Sequence, residues 1–279
     1  MNKINISLFS LMLVFAACSK EAGPTEDKCA GKFAPSTVTN LLISIDQDKQ
    51  MGLASVAEIE KNPTEYPLLD SVKYPAAYAH INRITKTILD SGGVYSKDEF
   101  AWRVKIIKRD DVLNAFCTPG GYIYVYTGLI KYLDNETQLA GVMGHEIAHA
   151  DKRHSAKQMV EQLGASTVIS ILSGGGQPGA LSGLATQLIG LSFSRADETE
   201  ADKFSVKYLN GTSYDARGAK YFFEKLIAAG QSGGTPAFLS THPNPATRVA
   251  DITAVWECYG SKVGQTFDAQ YMQFKASLP

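Results

Sequence analysis

Two histidines flank a glutamate in the stretch "GVMGHEIAHADKRHS", residues 141–155. On a helix with 3.6 residues per turn, His145 and His149 lie one turn apart and about 40° around the axis, so their imidazoles can bind one metal ion. Glu146 lies about 100° from His145, which keeps its carboxylate off the metal but close to a water bound there, as a general base requires. The residue types and their spacing therefore predict a hydrolytic zinc site; the alternative is a polar, solvated helix face.

The same stretch contains a third histidine, His154. If the helix continued without a break, this side chain would lie about 180° from His145 around the axis. We therefore expect His154 to face solvent and to take no part in the site.

Catalytic zinc sites usually have three protein ligands and leave one position for water. A third histidine in the pattern HExxHxxGxxH is excluded, because Lys152 and Ser155 occupy the glycine and third-histidine positions. The other arrangement uses a glutamate from a separate helix, with an acidic residue four positions further on. The stretch "SRADETEADKFSVKYLNG", residues 194–211, meets this condition with Glu198 and Asp202.

Glu198 and Asp202 share one face of this second helix, whereas Glu200 points away from it. We predict that Glu198 is the third zinc ligand. Asp202 would then orient a ligand imidazole, His145 in particular, by accepting the proton of its second ring nitrogen. Taken alone, the stretch is equally compatible with an acidic, solvated helix face.

Four motifs in this order resemble the gluzincin metallopeptidase family 48, whose branches include the CAAX prenyl proteases, HtpX and BepA. They are "NAFCTPGGYIYVYTGL" at 114–129, "HEIAH", "SRADETEAD" and "THP" at 241–243. The resemblance covers roughly residues 36–256, and the chain looks like a minimal lipoprotein form of the BepA type. The residues that the resemblance assigns to the zinc ion and to catalysis are the ligands His145, His149 and Glu198 and the base Glu146.

The expected chemistry follows from the charge of such a site. One Zn²⁺ per chain, held by two neutral imidazoles and a carboxylate, lowers the pKa of its water towards about 7, and Glu146 would transfer the proton to the leaving amine. The resemblance then implies an endopeptidase that cleaves unfolded or misassembled envelope proteins. The alternative is a chaperone or assembly-factor lipoprotein with little proteolytic activity. A purely structural zinc site usually has four protein ligands and no need of Glu146, which favours catalysis.

His242, in the "THP" motif, is followed directly by Pro243 and is expected to lie in a loop. The resemblance implies that it lies near the metal, where it could reversibly fill the open position on zinc and inhibit the enzyme. Alternatively, it could donate to the developing oxyanion, and Arg248 could do the same or hold the loop. A solvated loop histidine is the third interpretation.

Before the HExxH helix, the apolar period changes to that of strands, at about residues 102–106 and 120–128. By the resemblance, we expect the second strand to form the edge of the cleft, where an extended substrate would pair with it. Its substrate-binding residues would be Gly121, Ile123 and Val125. Alternation alone is equally compatible with an interior strand.

Helical patterns precede and follow these strands. Residues 36–61 read as one helix with Ser36 as its cap, residues 75–91 as another, and Asn135 as the cap of the HExxH helix. This order predicts an α+β fold. With the resemblance, it predicts a mostly helical, zincin-like metalloprotease domain with a small sheet.

The N-terminal stretch "MNKINISLFSLMLVFAACSK" has a lysine, a short apolar segment and small residues before a cysteine. This pattern resembles a bacterial lipoprotein signal peptide over residues 1–17, with lipidation at Cys18. Residues 18–35 would then be a lipidated tether and residues 36–279 the zinc metallopeptidase domain. Ser19 favours the outer membrane, so we expect a periplasmic protein attached to that membrane by its lipid.

The composition of the chain argues against nucleic acid as a partner and leaves the pairing of its cysteines open. The chain has 279 residues, 44% of them hydrophobic, and a net charge of −1, without the basic stripe that nucleic acid requires. Nucleic acid is therefore not an expected partner. In an oxidising periplasm, two of Cys29, Cys117 and Cys258 could form a disulfide. Cys29 with Cys258 is one conceivable pair, since both lie outside the motif-bearing region, but the sequence does not establish it.

Overall fold

The structure is a computed structural model and describes residues 26–32, 34–230, 237–242 and 245–279. It is mostly helical with two small sheets, which confirms the α+β prediction. The strands are Glu26–Asp27 (β1), Gly31–Lys32 (β2), Arg103–Ile107 (β3), Ala115–Thr118 (β4) and Tyr122–Tyr126 (β5). The helices are Thr37–Leu42 (α1), Ile45–Lys61 (α2), Pro75–Leu89 (α3), Thr127–Tyr132 (α4), Glu136–Asp151 (α5), His154–Leu163 (α6), Ala165–Leu172 (α7), Ala180–Ile189 (α8), Arg195–Asn210 (α9), Gly218–Ala229 (α10), Ala237–Thr241 (α11), Pro245–Cys258 (α12) and Asp268–Ala276 (α13).

The larger sheet has the strand order β3-β5-β4 and is buried on both faces. One face contributes aliphatic side chains such as Ile123 and Val125 to the main core, which also contains the inner faces of α3 and α5. The tyrosines of β5 point to the other face and pack with Ile59 of α2 and Ile189 of α8. The sheet therefore lies between the helix that carries HExxH and a second helical layer.

β5 is the central strand of this sheet and not its edge. Ile123 is paired with Val104 of parallel β3 on one side and with Cys117 of antiparallel β4 on the other. The carbonyl of Gly121 also accepts a hydrogen bond from the first amide of β3, at 3.0 Å. The prediction that Gly121, Ile123 and Val125 form the cleft edge is therefore wrong, because this strand already has a partner on each side.

β4 is an edge strand of this sheet, and this edge is the one nearer to the HExxH helix. Within the described ranges, β4 pairs with no strand other than β5. The sequence analysis missed this strand, because the four residues of β4 are all buried and show no alternation of polar and apolar side chains.

The helix predicted for residues 36–61 is two helices, α1 and α2. Ser36 makes no capping hydrogen bond, whereas the Ser44 side chain accepts one from the Gln47 amide, and Gln47 reciprocates in a capping box. This second cap ends α1 and starts α2 in a new direction, and it leaves Ile43 fully buried at the junction.

The described N-terminal residues form the β1–β2 hairpin, which packs on the domain. A disulfide joins Cys29 in this hairpin to Cys258 at the end of α12, and Ala30 belongs to the main core. The predicted tether over residues 18–35 is therefore too long, because residues 26–32 are part of the packed domain. Cys117 is a buried free thiol.

The predicted signal peptide and Cys18 lie outside the described residues. Among the helices that the structure does describe, none has both the length and the apolar composition needed to cross a bilayer.

Candidate metal centre

Helices α5 and α9 pack closely enough to bring the two sequence motifs together. The Asn135 side chain caps α5 as predicted, by accepting a hydrogen bond from the Gln138 amide at 3.0 Å. A methyl group added at Gly144 of α5 would approach the Ser205 hydroxyl of α9 to 2.9 Å. The glycine that precedes His145 therefore permits the close contact of the two helices.

Four side chains place their ligand atoms within 4.8 Å of one another: His145, His149, Glu198 and His242. His149 Nε2 lies 2.9 Å from His145 Nε2, and His242 Nδ1 lies 3.3 Å from His145 Nε2 and 2.9 Å from Glu198 Oε1. All four residues are at most 2% exposed. The structure thus brings together the three predicted ligands and the "THP" histidine.

The donor set suits a metal ion of the zinc type. Three imidazoles and one carboxylate are ligands that Zn²⁺ prefers. Ring nitrogens as close as those of His145 and His149 direct their lone pairs into the same small volume, which a shared cation stabilises. Glu198 turns both carboxylate oxygens to these rings, with Oε2 3.4 Å from His145 Nε2 and Oε1 3.4 Å from His149 Nε2, which also suits a metal ligand.

A second set of charged groups surrounds these donors. Asp202 Oδ1 lies 2.9 Å from His145 Nδ1, where the sequence analysis expects the acceptor for that ring. The Arg248 guanidinium donates to both Asp202 oxygens, at 2.6 Å each, and its Nη1 makes an ion-pair contact of 2.8 Å with Glu198 Oε2. Arg248 therefore holds two carboxylates in place. Burial raises the pKa of Asp202, but Arg248 and His145 outweigh it, so that this pKa lies below its usual value.

A histidine that binds a metal must be neutral, and the two histidines of the HExxH helix differ in this respect. Burial and the neighbouring His145 lower the pKa of His149 well below its usual value, so this ring is neutral. Burial and Arg248 also lower the pKa of His145, but hydrogen bonds to Asp202 and Glu198 outweigh them and raise it to about 9. A metal ion would therefore displace a proton from His145 when it binds.

Glu146 lies beside the cluster with both carboxylate oxygens buried and, in the described part of the chain, without a hydrogen-bond partner. His242 Nε2 lies 3.5 Å from Glu146 Oε1. Burial raises the pKa of Glu146, and although His242 and His145 act against it, the pKa stays above its usual value. A raised pKa favours a carboxylate that accepts a proton and releases it again during the reaction.

His242 is a buried residue directly after α11, so the interpretation as a solvated loop histidine is wrong. Its ring stacks on Phe238 at 4.4 Å between centroids, and its amide donates to the Phe238 carbonyl at 2.8 Å. Residues 243–244 lie outside the described part of the chain.

His154 is the functional candidate that the sequence analysis missed. It is 1% exposed, and its Nδ1 lies 2.9 Å from His149 Nδ1, so the prediction that it faces solvent is wrong. The cause is the end of α5 at Asp151, after which α6 starts at His154 in a new direction. No local signal marks this break, because Arg153 adopts a left-handed conformation, φ 59°, that usually favours glycine.

An HExxH helix, a second helix with the glutamate and an antiparallel edge strand packed against the HExxH helix define a zincin-like metallopeptidase domain. The chain matches Peptidase family M48 over residues 75–255, and it belongs to this family. It is similar to the Mitochondrial metalloendopeptidase OMA1 of Schizosaccharomyces pombe, with 31% identity over 213 residues that cover 75% of this chain and 61% of the relative.

It is also similar to the Beta-barrel assembly-enhancing protease of Escherichia coli (strain K12), with 31% identity over 224 residues. That match covers 75% of this chain and 44% of the relative. The chain therefore spans less than two thirds of the length of either relative.

Proposed function

We propose that the chain is a zinc-dependent endopeptidase that hydrolyses peptide bonds of unfolded or misassembled proteins in the bacterial cell envelope. The observation that carries this proposal is the convergence of His145, His149 and Glu198 in one buried cluster, with Glu146 beside it. The chain's family and the names of its relatives support peptide hydrolysis as the reaction.

Each side chain has a distinct task in this proposal. His145, His149 and Glu198 would hold a zinc ion, which supplies Lewis-acid polarisation of the scissile carbonyl and a lowered pKa for water. Glu146 accepts a proton at its carboxylate and returns it to the leaving amine. Asp202 orients the His145 ring by accepting a hydrogen bond from the Nδ1–H of His145.

His242 is proposed as a reversible fourth ligand. Its Nδ1 lies among the ligand atoms of the cluster, so it can bind the same ion as they do. In that state its ring would block the access of water to the ion, and withdrawal of the His242 ring would open the site. Arg248 is then assigned to the two carboxylates that it contacts, rather than to the oxyanion.

The substrate main chain is proposed to pair with β4. Because Tyr126 donates its amide to the Asn114 carbonyl, the alternation of an antiparallel ladder turns the N–H and C=O of Cys117 away from β5. Burial is the main cause that raises the pKa of the Cys117 thiol. The carboxylate of Glu146 raises it further, which shows that the two side chains are close. An extended peptide added to this edge would lie next to the catalytic base.

The envelope location rests on the N-terminal sequence, with its predicted signal peptide and Cys18, and on one relative that is named for β-barrel assembly. The Cys29–Cys258 disulfide supports an oxidising compartment.

Glu146→Gln separates the protease from the alternative chaperone function. The amide keeps the shape of the side chain but cannot accept the proton, so cleavage of an unfolded protein should fall by about two to four orders of magnitude with zinc content unchanged. If the substitution leaves the protein's function intact in cells that depend on it, the chaperone interpretation is correct.

A further inference from the structure

His149 has a hydrogen-bond partner at the ring nitrogen that faces away from the cluster. Its Nε2 points to the other ligand atoms, and its Nδ1 lies 2.9 Å from Nδ1 of His154. On its other side, His154 Nε2 lies 3.2 Å from Glu200 Oε2. Asp197 is further away, at 3.7 Å, and is engaged by Lys157 at 2.7 Å.

One set of tautomers satisfies all these contacts. If His149 binds a metal through Nε2, its proton must sit on Nδ1, and that N–H then donates to His154 Nδ1. His154 must therefore carry its own proton on Nε2, where it donates to the carboxylate of Glu200. In this arrangement, the chain of hydrogen bonds ends on the carboxylate of Glu200.

The fold holds His154 in this place by the turn between α5 and α6. Arg153 is left-handed and 2% exposed, and its guanidinium donates to Asp48 Oδ2 at 3.1 Å, to Asn40 Oδ1 at 2.9 Å and to the Ile43 carbonyl at 2.8 Å. These contacts fix the turn against the junction of α1 and α2. They explain why His154 reaches His149 although the two residues are five positions apart.

We propose that His154 and Glu200 are positioning residues for the ligand His149, linked as a carboxylate–imidazole–imidazole chain that fixes its tautomer and strengthens its Nε2 as a donor to the metal. This inference rests on the proposed function, because it requires that His149 bind a metal. With Asp202 behind His145 and Arg248 behind Glu198, it gives each of the three proposed ligands an outer partner.

The test compares two replacements of similar shape, His154→Asn and His154→Leu. The amide oxygen of asparagine can take the place of Nδ1 and accept from His149, whereas leucine removes the acceptor. Zinc affinity of the full chain is measured by competition with a chromogenic chelator. We expect His154→Leu to bind zinc about 10- to 100-fold more weakly than wild type, and His154→Asn to recover most of the loss.

A second pair of variants tests the charge without disturbing the core, because the Glu200 side chain is 39% exposed. Glu200→Gln should weaken zinc binding several-fold in the wild-type background. It should have no effect in the His154→Asn background, where its link to His149 is already lost. The visible spectrum of the Co²⁺-substituted protein should change with His154→Leu and not with His154→Asn.

Two results would overturn the proposal: His154→Leu binding zinc as tightly as wild type, or both His154 variants losing affinity equally. Either result leaves the proposed function intact as long as wild type binds zinc and His149→Ala does not. If wild type binds no zinc, the proposed function and this inference both fail.

Discussion

At the scale of single residues, the cluster combines groups that are costly to bury apart from one another. Glu198 is buried among three imidazoles and a guanidinium, and although burial raises its pKa, His242, His145 and His149 lower it far more. A buried, ionised carboxylate is tolerated only together with the nitrogen groups that surround it, since an unpaired buried charge is strongly destabilising. The whole site is therefore expected to respond when one member is removed.

His242→Ala tests the proposed fourth ligand. Three protein donors would remain, so zinc should stay bound, and basal cleavage of an unfolded protein should rise several-fold because the position for water is open. Zinc content and cleavage rate are measured on the same sample. His80→Ala, which removes a histidine stacked on Phe274 in α13, is the matched control and should change neither.

The opposite result has a clear meaning. If His242→Ala abolishes cleavage while zinc remains bound, the inhibitory role fails, and His242 is a residue that stabilises the transition state.

At the scale of elements, residue spacing within single helices was enough to predict the metal ligands. It was not enough to predict how neighbouring helices and strands are placed around them. The i, i+4 relations of His145 with His149 and of Glu198 with Asp202 depend only on helix geometry, and the structure keeps both. The break before His154 depends instead on contacts of Arg153 with a distant segment of the chain. No periodicity in the sequence could reveal such a contact.

The same distinction applies to the sheet. The sequence indicated a strand at β5 correctly, but its place in the sheet depends on β4, which shows no strand pattern of its own. Strand order is a property of pairing between segments, so the predicted edge was assigned to the wrong strand.

Cys117→Pro tests β4 as the substrate edge. Proline removes the amide that points away from β5, and prolines are tolerated at such outward positions of edge strands. We expect kcat/KM for an unfolded substrate to fall about tenfold, the effect of one lost hydrogen bond, with zinc retained. Cys117→Ala is the control, because it removes the thiol and keeps the amide. Equal activities of the two variants would exclude this amide from substrate binding.

The turn between α5 and α6 also predicts a pH dependence of stability. Lys152 is 2% exposed, and its Nζ lies 3.3 Å from the centroid of the Phe204 ring. Burial lowers the pKa of this side chain from 10.5 to about 8, despite nearby carboxylates. At pH values below this, both the folded and the unfolded chain bind the proton, and the folded chain carries the full cost of the buried charge.

As the pH rises from about 8 to about 10.5, the folded chain releases the proton first and this cost disappears. The free energy of unfolding of wild type, relative to Lys152→Met, should therefore increase by about 3 kcal/mol across this interval. Urea unfolding of both proteins at several pH values measures it. A difference that stays constant with pH would show that Lys152 titrates alike in both states.

At the scale of the whole molecule, the site is held by segments from most of the described chain. Helix α12 carries Arg248 in its first turns and ends at Cys258, whose disulfide joins it to the N-terminal hairpin. Asp27 in the hairpin accepts a hydrogen bond from Tyr259, the residue directly after α12, and its Oδ2 lies 3.5 Å from Nζ of Lys207 in α9. The hairpin thus connects the predicted lipid-bearing N-terminus to two of the helices that position the metal centre.

The most direct test of the account measures zinc content and cleavage of an unfolded protein on one sample of the purified chain, first as purified, then after chelation, and again after zinc is restored. The account predicts one zinc ion per chain, loss of cleavage together with the metal and recovery of both on re-addition. Cleavage that persists after all metal is removed would contradict it, as would a fully zinc-loaded chain that cuts no unfolded protein even with His242 replaced by alanine.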